Sequence, residues 1–289
     1  MSPRSHACWP ARCAIGLIVL LLAACSMVSL GYQYAPTLLT WRAAEYFDLD
    51  STQRARFRAR LERVHAWHRA EQLGSLLGIL DEAQQRLARP LAADDGEWLV
   101  DTLLAHYRLV VGRIIDESAD LLTTLSPAQI VALEQRLDER AAEYAATWIE
   151  APPEDVRRAR YQRIRAHIED WLGRLEPRQR DWLRARLAEI PADYVAWHAD
   201  RTRRDAQFIA LLKSVAGEAE APRPHPAVRR WALDWHEQRT AALRIHADEV
   251  RRAYVALGVE LINNATPAQR DHLRNKLADY AIALDEHIQ

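Results

Sequence analysis

A five-residue pattern that marks a helix start occurs four times in this chain, and four such starts leave room for little besides an array of helices. The copies are Leu49-Asp50-Ser51-Thr52-Gln53, Leu125-Ser126-Pro127-Ala128-Gln129, Leu175-Glu176-Pro177-Arg178-Gln179 and Ala265-Thr266-Pro267-Ala268-Gln269. Asp50, Ser126 and Thr266 carry short polar side chains that accept a hydrogen bond from the open N–H groups of a first turn. Proline at the first helical position gives up an N–H that has no intrahelical partner anyway. A Gln three residues after the cap can reach back to the cap N–H and close a capping box. Glu176 is the weakest cap of the four.

Apolar residues recur four, eight, eleven and fifteen positions after each Gln. They are Phe57, Leu61 and Val64, then Leu133, Leu137 and Tyr144, then Leu183, Leu187, Ile190 and Tyr194, and finally Leu273, Leu277, Tyr280 and Leu284. His68 takes the last place in the first copy and Arg140 the third place in the second. Steps of four and three keep one helical face apolar. Glycine is scarce, nine in 289 residues, and the strong helix formers Ala, Leu, Arg, Glu and Gln dominate. The expected class is all-α, a multi-helix bundle or set of elongated helical hairpins with about seven to nine helices. Two long helices are expected at roughly Asp95 to Thr123 and Ala227 to Asn263.

Ala66-Trp67-His68 follows the first cap and Ala196-Trp197-His198 the third. Each is succeeded by a break, a long helix and another cap. This suggests two similar halves from internal duplication, residues 40–150 and 151–289.

The N-terminus constrains location. Met1 to Arg12 carries Arg4 and Arg12 and no acid, and an apolar run follows from Ala14 to Ala24. A spanning helix needs about 20 apolar residues, so the shorter run has the layout of a cleavable signal peptide, residues 1–24. Leu22, Ala23, Ala24 and Cys25 match the lipobox of bacterial lipoproteins, which implies a lipid on Cys25 and a tether over residues 25–39. An ordinary signal peptide is the alternative. Ser26 after the cysteine implies, by the sorting rule of such lipoproteins, the outer membrane with the body facing the periplasm.

Cys8 and Cys13 fall in the signal, so Cys25 is the one cysteine left and no intramolecular disulfide can form. The formal net charge is −1, and −3 once Arg4 and Arg12 are removed. That balance disfavours nucleic acid as a partner.

The cap pattern resembles the LTxxQ motif of Spy/CpxP-type periplasmic proteins, although no copy reads Leu-Thr-x-x-Gln. That resemblance implies a cradle of helical hairpins and roles as an ATP-independent chaperone, an inhibitor of an envelope-stress kinase or a metal-responsive sensor. The chain also resembles a family of uncharacterised proteobacterial lipoproteins, most densely from Cys25 to Arg69. The lipobox, Gly31-Tyr32-Gln33-Tyr34-Ala35-Pro36-Thr37-Leu38-Leu39, the Trp41 to Asp48 stretch and Ala66-Trp67-His68-Arg69 carry this likeness, which implies no activity.

Catalytic signatures are missing from the sequence. There is no Gly-x-Gly-x-x-Gly and no Gly-x-Ser-x-Gly. Asp48, Asp50 and Thr52 imitate the opening of a calcium loop, but Gln53 replaces its Gly and Ala59 its final Glu. His65 and His68, with Glu71 a turn further, are the weak candidates for a metal site; a packing role is the competing explanation. Nine tryptophans remain beyond the signal, expected as core or interhelix anchors, with an exposed groove as the alternative. The basic run of Arg157, Arg158, Arg160, Arg163 and Arg165 is either a solvated face or an attractor of acidic clients.

The expectation is a non-enzymatic, lipid-anchored periplasmic protein that binds unfolded or envelope proteins, as a Spy-like chaperone or envelope-stress adaptor. A metal-responsive sensor and a structural envelope lipoprotein are the alternatives. No cofactor and no small-molecule substrate is indicated.

Overall fold

The computed structural model describes residues 28–217 and 226–288. The lipobox and Cys25 lie outside the described residues, as does the proline-rich stretch 218–225.

Among the described residues the chain is all-α. A short helical stretch at 28–33 leads into α1 (Ala35–Phe47), α2 (Ser51–Trp67), a π-helical turn (His68–Gln72), α3 (Leu73–Arg86), α4 (Ala93–Thr123) and α5 (Pro127–Trp148). Then follow α6 (Pro153–Leu172), α7 (Pro177–Glu189), α8 (Tyr194–Val215), α9 (Pro226–Leu233), α10 (Ala241–Asn263) and α11 (Pro267–Asp285). The long α4 is central: α2, α3, α8, α9 and α10 all pack on it. Helix α5 lies along α8 and α11 along α3.

All four cap patterns start helices, and they interlock in pairs. Gln53 and Gln129 accept from the N-cap N–H groups of Asp50 and Ser126 at 3.0 and 2.8 Å, while Asp50 and Ser126 accept from the Gln N–H groups at 2.8 and 3.2 Å. Gln269 and Thr266 form the same box at 2.9 and 3.2 Å. In the third copy Gln179 accepts from Glu176 N–H at 2.9 Å. The longer Glu176 side chain makes no cap bond of its own, consistent with its weakness as a cap.

Each pair of caps sits on one apolar core. The first contains Leu49, Leu121, Leu125, Ile130, Leu133 and Leu137, closed by Ile209 and Leu212 of α8. The second gathers Leu172, Leu175, Leu183, Leu187, Ile190, Leu257, Leu261, Leu273 and Leu277, with Leu80 and Leu87 packed against it. Fully burying one such Leu contributes about 1.5–3 kcal/mol. Each core therefore draws on residues from both sides of position 150.

Two expectations need correction. Eleven α-helices are present among the described residues, more than the seven to nine expected. One reason is that the helix expected at Ala227 to Asn263 is broken over 234–240. There Thr240 restarts it by accepting from Leu243 N–H at 3.3 Å, and Arg239 turns inward between the rings of Trp197 and Trp235, 4.6 and 4.5 Å from their centroids. Arg239 Nε also donates to the buried Asp200 at 3.4 Å.

Of the two roles expected of the tryptophans, core or interhelix anchor, the second prevails: they sit at the margins of the cores. Trp41 and Trp171 are exposed, and Trp67, Trp98, Trp148, Trp182, Trp197, Trp231 and Trp235 are half-buried. A ring N–H needs a polar partner, and this Arg-rich chain supplies cations for the ring faces. Arg86 lies 4.1 Å from the Trp98 centroid, and Trp182 Nε1 donates to Glu260 at 3.1 Å.

Candidate functional site

His65 and His68 sit three apart at the end of α2, and the π-helical turn that opens at His68 re-aims the chain there. A π turn inserts an extra residue into the helical period, and such insertions are frequent at functional sites. Both rings face Tyr32, which the helical stretch 28–33 lays against them. The Tyr32 ring centroid is 4.7 Å from that of His65 and 5.8 Å from that of His68.

Two further histidines complete the cluster. Tyr32 OH and His68 Nδ1 are 2.9 Å apart, and His68 Nε2 lies 3.2 Å from His106 Nε2 of α4. His287, just past α11, places its ring 4.9 Å from Tyr32, and its Nε2 is 3.0 Å from Ser29 Oγ. If the Tyr32 hydroxyl donates to His68 Nδ1, His68 must carry its proton on Nε2 and donate it to His106. The result is a short relay from phenol to imidazole to imidazole.

Burial sets the protonation of this group. It pushes His68 down to about 4, helped by the neighbouring His106 and His65, and lowers His106. His65 is lowered by burial first and by the adjacent Arg69 second. Its Nε2 is buried without a hydrogen-bond partner. Burial likewise raises the Tyr32 phenol, with Arg69 opposing. At neutral pH the four side chains are thus held uncharged.

Beside the cluster lies an open cavity of about 520 Å³, its walls formed in part by Tyr34, Pro36, Arg58, Glu62, His65 and Arg69. The fit to a metal is incomplete. Two nitrogens bound to one tetrahedral zinc at about 2.0–2.1 Å would stand about 3.3 Å apart, close to the His68–His106 separation. Yet among the described residues no group of three or more His, Cys, Asp or Glu side chains is placed to hold a metal ion. Glu71, the third sequence candidate, accepts from Trp67 Nε1 at 2.8 Å instead.

The eight cap residues form two sites of their own. The Gln53 and Gln129 amides bond each other, as do those of Gln179 and Gln269. The basic run of α6 is largely occupied within the chain: Arg160 donates to Ile190 O and Tyr254 OH at 3.0 Å each, and Arg158 and Arg165 pair with Asp155 and Glu169.

Tyr32, His106 and His287 were not singled out in the sequence. No local signal marks them, because each lies on a different element; the one hint is that Tyr32 belongs to the aromatic stretch after Cys25.

No helix of the described residues is long and apolar enough to cross a membrane. No curated protein and no solved structure matches the chain. One family model, described as a family of unknown function, DUF6279, matches residues 45–221. The matched region holds the first three caps together with His65, His68 and His106. Because it spans more than half of the 289 residues, the chain belongs to that family.

Proposed function

We propose that this protein is a lipid-anchored, non-enzymatic protein of the bacterial envelope, held at the outer membrane through Cys25, whose helical body binds other proteins. The lipobox Leu22-Ala23-Ala24-Cys25 supports the anchor. The observation that carries the binding role is the set of large apolar side chains left at the surface of long helices, including Leu103, Tyr107 and Leu109 on α4 and Ile245 on α10. Exposed apolar surface of this kind is what clients or partner proteins cover. A chaperone and an envelope-stress adaptor both use such a surface.

The test has two arms. Metabolic palmitate labelling of the wild type and of Cys25→Ala should show label that the variant loses; label kept by the variant would overturn the anchor. The mature chain with Cys25→Ser should suppress aggregation of unfolded clients at near-stoichiometric ratio without ATP. Suppression of none across several clients would eliminate the chaperone form and leave the adaptor.

A second reading, a metal-responsive sensor, is favoured by the 3.2 Å separation of His68 Nε2 and His106 Nε2. Calorimetry with Zn²⁺, Cu²⁺ and Ni²⁺ on the wild type and on the His65→Ala, His68→Ala double variant decides it. Binding that the variant abolishes supports the sensor; no binding, or equal binding, removes it.

A further inference from the structure

Residues 28–41 contain no charged side chain, in a chain that is 27% charged. The turn at Tyr34 joins the stretch 28–33 to α1 with helical spacing: Tyr34 N–H donates to Leu30 O and Leu38 N–H to Tyr34 O, both at 2.9 Å. At that spacing, positions 30, 34, 38 and 41 share one face. Those positions are Leu30, Tyr34, Leu38 and Trp41, exposed by 45, 52, 53 and 64%. Leu39 stands open beside them.

The opposite face is already used. Tyr32 rests on the histidines, Pro36 and Thr40 are buried, and Ala43, Ala44, Tyr46 and Phe47 pack on the first core. The helix is therefore apolar on two sides and packed on one. A single exposed Leu needs no explanation, but four large side chains in register over three turns do.

What covers this stripe follows from where it lies in the chain. Only Ser26 and Met27 separate Cys25 from residue 28. Three residue steps reach at most about 11 Å, so a lipid on Cys25 would hold the start of the helix within the headgroup zone. The chemistry agrees, since Tyr and Trp flanking Leu is the composition favoured at a membrane–water boundary. Charge returns just past the stripe, where Arg42 pairs with Glu45 at 3.0 Å. A helix lying in the interface buries an apolar face and keeps its polar groups in water.

We infer that Leu30, Tyr34, Leu38 and Trp41 form a membrane-resting stripe that lies in the headgroup region of the bilayer to which the chain is anchored. The stripe is a second contact besides the lipid, and it fixes which end of the body faces the membrane: the end carrying Tyr32 and its histidines. This rests on the anchoring reading above, and its test is built to be independent of it.

The mature chain with Cys25→Ser has no cysteine, so Leu38→Cys introduces a unique site for an environment-sensitive fluorophore. An N-terminal hexahistidine tag, bound to vesicles of phosphatidylethanolamine and phosphatidylglycerol doped with a nickel-chelating lipid, replaces the acyl anchor. The expected result is a blue shift and intensity rise for the label at 38, and none for a label at Val131→Cys, which is exposed on α5. Adding Leu30→Asp and Trp41→Asp should abolish the shift while the thermal melt stays unchanged.

A label at 38 that stays in a water-like environment on vesicle-bound protein would overturn the stripe. So would a concentration-dependent shift in the absence of vesicles, which would assign the face to a second copy of the chain. Failed palmitate labelling would sink the anchor alone and leave this readout intact.

Discussion

The side-chain amides of Gln53 and Gln129 bond each other in both directions, Nε2 to Oε1 at 3.2 and 2.7 Å. Each Nε2 also donates to the carbonyl two residues before the partner's cap, Thr124 O at 2.9 Å and Asp48 O at 2.7 Å. Asp48 presents that carbonyl from a left-handed backbone conformation that ends α1. Gln179 and Gln269 repeat the arrangement on Asn264 O and Arg174 O. Only an amide supplies the acceptor and both donors this uses. Two helix starts are thereby tied together at each core.

Gln53 is nearly fully buried, and its removal takes one side from several part-buried hydrogen bonds. Gln53→Ala removes the bonds to Asp50 N–H, Thr124 O and the Gln129 amide, at a cost of about 0.5–1.5 kcal/mol for each bond lost. Gln129→Glu should also destabilise, because a carboxylate has no donor for Asp48 O. Urea unfolding of Gln53→Ala, Gln129→Ala and the double variant should show coupling of about 0.5–3 kcal/mol. Strict additivity would mean the pair is not a unit, and Gln53 with Gln179 provides the additive control.

Capping was legible in the sequence because it is local: a side chain at the third helical position meets an N–H three residues away. The seam residues Leu61, Leu133, Leu183 and Leu273 were legible for the same reason, being spaced by the helical period. Which caps join was not, since the Gln53–Gln129 bond spans 76 residues. The break before α10 was hidden because it depends on Arg239 finding Trp197 and Asp200 on another helix. The Tyr32 cluster was half visible: His65 and His68 stood out as a spacing, while Tyr32, His106 and His287 meet them only through tertiary packing.

The histidine cluster makes stability depend on pH in a defined direction. Above an ordinary histidine value of about 6.5 both folded and unfolded chains hold the rings neutral, and the cluster contributes no pH dependence. Between there and about 4 the unfolded chain takes up a proton that folded His68 refuses, so stability falls as pH drops and levels off below about 4. His65 and His106, lowered in the same sense, add to the slope. Urea midpoints at fixed ionic strength should fall from pH 7 to 4.5, and less steeply in His68→Gln. Parallel curves for the two proteins would refute the assignment.

Asp95 adds an acid response of the same sign at lower pH. Its carboxylate accepts from Ala92 N–H at 2.8 Å, from Arg86 at 2.7 Å and from two nitrogens of Arg89 at 2.7 Å each. The bonds from Arg89 and from the Ala92 backbone hold it well below the usual carboxylate range. The stability it contributes is fully present above the ordinary Asp value and is lost as pH falls through the depressed one. Asp95→Asn should therefore melt lower than wild type at pH 7, with the difference shrinking toward pH 2. A constant gap across that range would show that the charge is not what matters.

Helix α4 approaches α10 so closely at Gly96 that a Cβ there would stand 2.6 Å from Val255 Cγ1 and 3.0 Å from Val259 Cγ2. Replacing a glycine inside a helix by alanine ordinarily gains about 0.5–1 kcal/mol. Gly78 on α3 is such a site, with nothing within 4 Å of its Cβ position, and Gly78→Ala should stabilise by that amount. At Gly96 the overpacking cost of about 1–3 kcal/mol exceeds the gain, so Gly96→Ala should lower the unfolding midpoint. Val255→Ala alone should also destabilise, by opening a void. The double variant should recover stability relative to Gly96→Ala, because the new methyl occupies the space the valine vacates. If Gly96→Ala stabilises as much as Gly78→Ala, the two helices do not meet at that distance in solution.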